Sequence, residues 1–105
     1  MIKRQKGGKM LIKAGVDISQ LERNTRRGLG ITSKVFSKNQ TELVVTSTDD
    51  GNHGAGSLHY ADQAFDVRKP GKLVGTVTRE LKIALGKDFD VILEGDHIHI
   101  EFDPK

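Results

Sequence analysis

The four histidines of this 105-residue chain fall in two short segments, and each segment also carries carboxylates. His53 and His59 precede Asp66 in a glycine-containing stretch, whereas His97 and His99 lie near the C-terminus. A catalytic zinc site is built from imidazole and carboxylate ligands, with three protein ligands and a fourth position left for water. The chain has no cysteine, so any metal must be held by nitrogen and oxygen. We therefore expect a zinc ion held between the two segments.

The spacing inside each segment suits a single metal site. His59 precedes Asp66 by seven residues, so a loop that leads into a strand can bring both side chains to one ion. The second segment reads Asp96-His97-Ile98-His99. Alternate residues of a strand share a face, so one histidine can bind the metal while the other contacts the water on it. His53 is interpreted as a loop residue or as an outer partner of a ligand rather than as a ligand itself.

The same residues resemble the motif of a known family. Zinc D-alanyl-D-alanine carboxypeptidases and L-alanyl-D-glutamate endopeptidases form a superfamily that includes phage endolysins and is structurally related to the hedgehog signalling domain. Its motif is Ser-x-His-x-x-Gly-x-Ala-x-Asp, followed later by Asp or Glu, two residues and His. The match is closest to short phage and prophage forms and covers about residues 40 to 103. The matching positions are Ser57, His59, Ala64, Asp66, Asp96 and His99.

The resemblance implies a role for each residue of the zinc site. The metal ligands would be His59, Asp66 and His99. Asp96 would be the general base, which activates the zinc-bound water and protonates the leaving amine. His97 would stabilise the oxyanion or orient that water. Zinc lowers the pKa of bound water to about 7, which provides hydroxide at neutral pH.

Substrate contacts are implied by the same resemblance, together with two departures from the family pattern. Ser57 would hydrogen-bond the substrate, and Arg68 would hold Asp66 or a substrate carboxylate. Asp62 stands at the glycine of the motif, and Asp49-Asp50 follows the first strong strand, where many members carry a substrate-binding arginine. The leading interpretation is a zinc metallopeptidase that hydrolyses a peptide bond in bacterial peptidoglycan. The alternative is a catalytically weak or inactive zinc-binding module of a phage or prophage.

A second register of the last strand satisfies the same spacing. Glu94 and His97 are separated as Asp96 and His99 are, so the ligand and the base could both move by two residues. We favour the second pair because the family histidine is followed by an apolar residue and then often by an acid, as in His99-Ile100-Glu101. Glu101 is expected to face solvent, unless its hydrogen bond orients a ligand histidine.

The elements that must position these residues follow from periodicity and turn residues. The pattern predicts an α+β fold with a small antiparallel sheet and two or three helices, and the resemblance implies a hedgehog-like or carboxypeptidase-like architecture. Gly28 and Gly30 are weak points in the first helix. The predicted elements are a short edge strand after Met10, a helix over 18–36 with Asp17 as N-cap, strands over 40–48 and 63–68, a helix over 76–85 ended by Gly86, and a hairpin of 89–93 with 97–102.

Composition predicts one domain with a flexible arm. Residues 1–9 are basic and aperiodic and are interpreted as a flexible N-terminal arm. Residues 10–105 are expected to form a single domain, which the resemblance implies is zinc peptidase-like. The net charge is +3, with the positive residues concentrated before residue 40. The default interpretation of this charge is a solvated basic face, although it also suits an anionic cell wall. The sequence lacks the interleaved basic and aromatic residues typical of nucleic-acid binding, so we expect no nucleic-acid partner.

Neither a secretory signal nor a membrane span is evident in the sequence. The basic N-terminus is not followed by an apolar stretch of the required length. We therefore expect a monomer that is made in the cytoplasm, does not bind membranes and acts on a peptidoglycan peptide, delivered by phage lysis or as a virion component.

Overall fold

Five strands and two α-helices make up the described part of the chain, residues 10–48 and 63–104 of a computed structural model. The predicted α+β class is confirmed. A short 3-10 turn, Gly71–Leu73, precedes the second helix. The elements in chain order are β1 (Met10–Ile12), α1 (Arg23–Lys38), β2 (Leu43–Thr48), β3 (Ala64–Arg68), α2 (Val74–Leu85), β4 (Phe89–Leu93) and β5 (His97–Phe102).

The strands form one sheet in the order β1-β2-β3-β5-β4. Four of them pair antiparallel, as the sequence predicts. β1 pairs in parallel with β2, so the sheet is mixed rather than wholly antiparallel. Parallel neighbours need a crossover connection, and α1 lies in the connection between β1 and β2. The sequence predicted an antiparallel sheet because the residues of an edge strand such as β1 do not indicate whether it pairs in parallel or antiparallel.

The two faces of the sheet differ in character. Phe65 of β3 and Ile98 of β5 belong to the same buried cluster as Phe36 of α1 and Leu81 of α2, so both helices contribute to the core on this face. Successive residues of a strand point to opposite sides, so the neighbours of these core residues face away from it. The polar residues of β3 and β5 on this second face are Asp66, Arg68, His97, His99 and Glu101.

Helix α1 begins later than the sequence predicts. The expected N-cap, Asp17, accepts a hydrogen bond from the backbone N–H of Ser19 at 2.9 Å instead, which forms a turn outside the helix. The helix begins at Arg23, where the Glu22 carboxylate accepts from two backbone N–H groups of the first turn at 2.9 and 3.1 Å. Capping by Glu22 satisfies donors that have no partner inside the helix.

Neither glycine interrupts α1. Gly28 is buried against the ring of Phe89, and a Cβ at this position would lie 2.5 Å from Phe89 Cε2. A Cβ at Gly30 would meet nothing within 4 Å. Gly28 therefore allows the close approach of the Phe89 ring to α1, whereas Gly30 has no such contact.

Residues 1–9, 49–62 and 105 lie outside the described part. The predicted basic arm coincides with the first of these segments, so the arm and the domain boundary at residue 10 stay predictions. Neither helix of the described part combines the length and apolar character that crossing a membrane would require.

Candidate metal centre

Asp66 and His99 form the centre of the polar face. They lie directly opposite each other in the antiparallel ladder of β3 and β5. Asp66 Oδ1 lies 2.8 Å from His99 Nδ1, and the two side chains are 22% and 26% exposed. Both were predicted as zinc ligands, and the structure brings them together at a place that solvent can reach.

A bulge in β2 lies beside Asp66. The register between β2 and β3 shifts between Val45 and Ser47, and Ser47 is the partner of Asp66. Thr46 lies within this shift, and its Oγ1 donates to the backbone oxygen of Asp66 at 3.4 Å. Bulges bend a strand and re-aim side chains near functional sites. This one lies just before residues 49–62, the segment that contains His59.

The second ring nitrogen of His99 contacts Glu101. Glu101 Oε1 lies 2.9 Å from His99 Nε2, and Glu101 is 7% exposed, so the expectation that it faces solvent is wrong. The hydrogen bond to Asp66, and then that to Glu101, raise the pKa of His99 from 6.5 to about 9 against the opposing effect of burial. In the zinc-free protein this imidazole is therefore a cation between two carboxylates at neutral pH.

His97 lies next to this pair and contacts three carboxylates. Its Nδ1 is 2.6 Å from Asp96 Oδ1, and its Nε2 is 2.9 Å from Glu94 Oε1. The same Nε2 is 3.7 Å from Asp66 Oδ2. The hydrogen bond between His97 and Asp96 raises the pKa of the imidazole and lowers the pKa of the carboxyl. His97 therefore connects the acids of the hairpin turn with the predicted metal ligand Asp66.

Asp96 and Arg68 lie at the rim of the polar face. The Asp96 side chain is 93% exposed, between β4 and β5, and its carboxylate contacts His97. Arg68 is exposed at the end of β3, opposite His97 in the ladder and two residues from Asp66. Both residues are thus near the predicted centre, and their roles as general base and substrate contact stay predictions.

Several residues named in the sequence analysis lie outside the described part. These are Ser57, predicted to contact substrate, and His59, predicted to bind zinc, together with His53 and Asp62. The described residues consequently contain two of the three predicted ligands, Asp66 and His99.

Reasoning from the sequence named Glu101 as a possible partner of a ligand histidine but missed the acidic group to which it belongs. Within residues 10–48 and 63–104, one group of three potential ligand side chains has donor atoms within 4.8 Å of one another: Asp90, Glu101 and Asp103. Glu101 could have been assigned to the polar face, because it alternates with His97 and His99 along β5. Asp90 was not assigned, because the predicted bounds of the hairpin do not fix its register, which places Asp90 opposite Glu101. Exposed acidic groups of this kind are common without an ion.

The donor atoms around Asp66 and His99 suit zinc. Carboxylate oxygen and imidazole nitrogen are both zinc ligands. A zinc-bound histidine usually donates its other ring N–H to a carboxylate or carbonyl, and Glu101 occupies that position on His99. Binding of zinc at Nδ1 would displace the proton that Nδ1 now shares with Asp66, as metal binding to histidine requires.

No protein-family model, curated protein or solved structure matched the chain when it was compared with each. The resemblance to zinc peptidases therefore rests on the motif residues themselves, and the hedgehog-related fold stays a prediction.

Proposed function

We propose that this chain is a zinc-dependent peptidase that hydrolyses a peptide bond in bacterial peptidoglycan, of the D,D-carboxypeptidase or L-alanyl-D-glutamate endopeptidase type. The observation that carries the proposal is the 2.8 Å contact between Asp66 Oδ1 and His99 Nδ1. The motif resemblance assigns these two residues as ligands of one metal, although 33 positions separate them in the sequence. Their direct contact supports the binding of one metal ion by both side chains.

The chain would hold zinc through Asp66, His99 and His59. Zinc, when bound, supplies Lewis acidity and lowers the pKa of a water ligand towards 7. Three protein ligands of this kind leave one position for water or substrate, which is the arrangement of catalytic rather than structural zinc sites. Partial exposure of Asp66 and His99 supports access by a substrate.

Asp96 and His97 would carry out proton transfer. Asp96 is the general base that the resemblance implies, and its hydrogen bond to His97 Nδ1 connects it with a ring whose Nε2 lies 3.7 Å from Asp66 Oδ2. Asp96 would take a proton from water and pass it to His97, because their contact raises the pKa of His97 and lowers the pKa of Asp96. The proton would then go to the leaving amine. Positioned groups of this kind contribute roughly 10²- to 10⁴-fold to the rate.

Arg68 and Ser57 would bind the substrate. The guanidinium of Arg68 is on the same face as Asp66 and is exposed, so it can pair with a carboxylate of the peptide stem. Ser57 would contribute a hydrogen bond. The net charge of +3 favours binding to an anionic cell wall. We also propose that the protein acts on the cell wall and reaches it during phage lysis or as a virion component.

The second candidate is a zinc-binding module with little or no turnover. The 93% exposure of the Asp96 side chain favours it, because a general base usually lies inside the site that it serves. Asp62 in place of the motif glycine points in the same direction. Zinc binding is common to both candidates, so cleavage distinguishes them.

Digestion of purified peptidoglycan tests the proposal. Zinc-loaded protein should release fragments with one added water and one new amino group, detected by mass spectrometry after amine labelling. Release of D-alanine would identify carboxypeptidase action, whereas new glutamate amino groups would identify the endopeptidase. Asp66→Asn should abolish the cleavage, whereas Asp17→Asn, a change in an exposed turn, should not affect it.

The two candidates give different results in the same assay. Asp96→Asn should keep zinc but lose at least about 100-fold in rate, the lower end of what a general base contributes. Zinc-loaded wild type that produces no new amino group would contradict the peptidase and leave the binding module.

A further inference from the structure

We infer that Glu101 is a positioning residue, which fixes His99 so that Nδ1 is the nitrogen presented to the metal beside Asp66. The inference rests on the proposed zinc site and adds a residue that the motif does not assign. It also specifies which nitrogen of His99 binds.

The burial of Glu101 is the first step of the argument. Glu101 is 7% exposed although it lies on the polar face of the sheet. Burying a carboxylate is costly unless hydrogen bonds compensate it. One such bond is the 2.9 Å contact between Glu101 Oε1 and His99 Nε2. Ala64, the β3 partner of Glu101, has a small side chain that leaves room for the carboxylate beside β5.

The direction of the hydrogen bond is the second step. An ionised carboxylate only accepts, so the proton of this contact belongs to His99 Nε2. A neutral imidazole with its proton on Nε2 has its lone pair on Nδ1. Nδ1 is also the atom that lies 2.8 Å from Asp66 Oδ1. The same rule places a second proton on Nδ1 in the zinc-free protein, and zinc would replace that proton. Glu101 would then orient the ring and keep the proton on Nε2 while Nδ1 binds the metal beside Asp66.

The rigidity of the strand is the third step. His99 and Glu101 are two residues apart on β5, which is paired on one side with β3 and on the other with β4. Both side chains thus point the same way from backbone that is fixed by hydrogen bonds on both edges. Outer partners of this kind typically contribute about 10- to 100-fold to metal affinity.

Zinc affinity and ring nitrogen shifts test the inference. Zinc binding is measured by competition with a chelator for wild type, Glu101→Gln, Glu101→Ala and Asp103→Asn. Glu101→Ala should weaken zinc binding about 10- to 100-fold. Glu101→Gln, whose amide oxygen can still accept from Nε2, should recover part of that loss. Asp103→Asn, which removes a neighbouring charge of the acidic group but leaves Glu101, should bind zinc as wild type does.

A nitrogen-15 NMR spectrum of the zinc-loaded wild type provides a readout that does not depend on any variant folding. His99 Nδ1 should show the shift of a metal-bound nitrogen, and Nε2 should carry a proton. Zinc bound at Nε2, or unchanged affinity in folded Glu101→Ala, would overturn the positioning role while leaving the peptidase proposal intact. Absence of zinc binding by wild type would overturn the proposed function, and the positioning role with it.

Discussion

Asp66 and His99 are direct partners in the β3–β5 ladder, and their side chains meet at 2.8 Å on the face opposite the helices. Strand register alone produces this meeting, because a shift of β5 by one residue would turn His99 into the core. The apolar residues on either side of His99, Ile98 and Ile100, are both 0% exposed and oppose such a shift. The hydrophobic core therefore sets the geometry of the polar pair.

The stability of the zinc-free protein should fall as pH rises above neutrality. The pKa of His99 is raised to about 9, first by its hydrogen bond to Asp66 and then by Glu101. The folded state binds this proton more tightly than the unfolded chain does, where the pKa is near 6.5. The stabilisation is complete below the unfolded pKa and is lost as pH rises through the folded pKa. Urea unfolding between pH 6 and 9.5 measures it.

Two variants identify which histidine causes this pH dependence of stability. His99→Gln should flatten the decline most, because His99 has the larger pKa shift. His97→Gln should flatten it less, although the pKa of His97 is also raised. A wild-type free energy of unfolding that stays constant or rises from pH 6.5 to 9 would contradict the account of His99 as a cation between two carboxylates.

The choice between the two registers of the last strand can be tested with the same variants. Zinc affinity should fall more than about 100-fold in His99→Gln. Replacing a residue that only hydrogen-bonds a metal ligand already lowers metal affinity about 10- to 100-fold, and loss of the ligand itself should lower it further. Zinc affinity should change much less in His97→Gln, because His97 contacts the acids of the hairpin turn at 2.6 and 2.9 Å and lies 3.7 Å from the predicted ligand Asp66. The reverse result would assign Glu94 and His97 as the functional pair.

Gly28 and Gly30 should respond in opposite ways to replacement by alanine. Gly28→Ala places a Cβ 2.5 Å from the Phe89 ring, so we expect a loss of about 1–3 kcal/mol in the free energy of unfolding. Gly30→Ala adds its methyl in open space and should gain up to about 1 kcal/mol from helix propensity. Urea unfolding of both variants measures the difference, and equal effects would contradict the close packing of β4 on α1.

Most of the elements could be predicted from the sequence because their signals are local. The hairpin of β4 and β5 has the predicted bounds, since apolar and polar residues alternate on both sides of a turn. Gly86 ends α2 with a φ of 79°, as a glycine cap should. The start of α1 was predicted wrongly: Asp17 is a preferred N-cap residue type, but Glu22 caps the first turn and Asp17 accepts from Ser19.

The site could be predicted only in part, because proximity depends on pairing that no local pattern reveals. The alternation along β5 assigned His97 and His99 to one face, but the position of Asp66 opposite His99 comes from the register of β3. Burial of Glu101 likewise depends on the strands on both sides of it. The parallel pairing of β1 with β2 was missed for the same reason.

Zinc content of the purified protein tests the central claim most directly. Elemental analysis is made after zinc loading and desalting for wild type, His59→Ala and His99→Ala, with His53→Ala as a control of the same residue type. The account predicts about one zinc per chain in wild type and in His53→Ala, and loss of the metal in the other two variants. Wild type that retains no zinc after loading would contradict it.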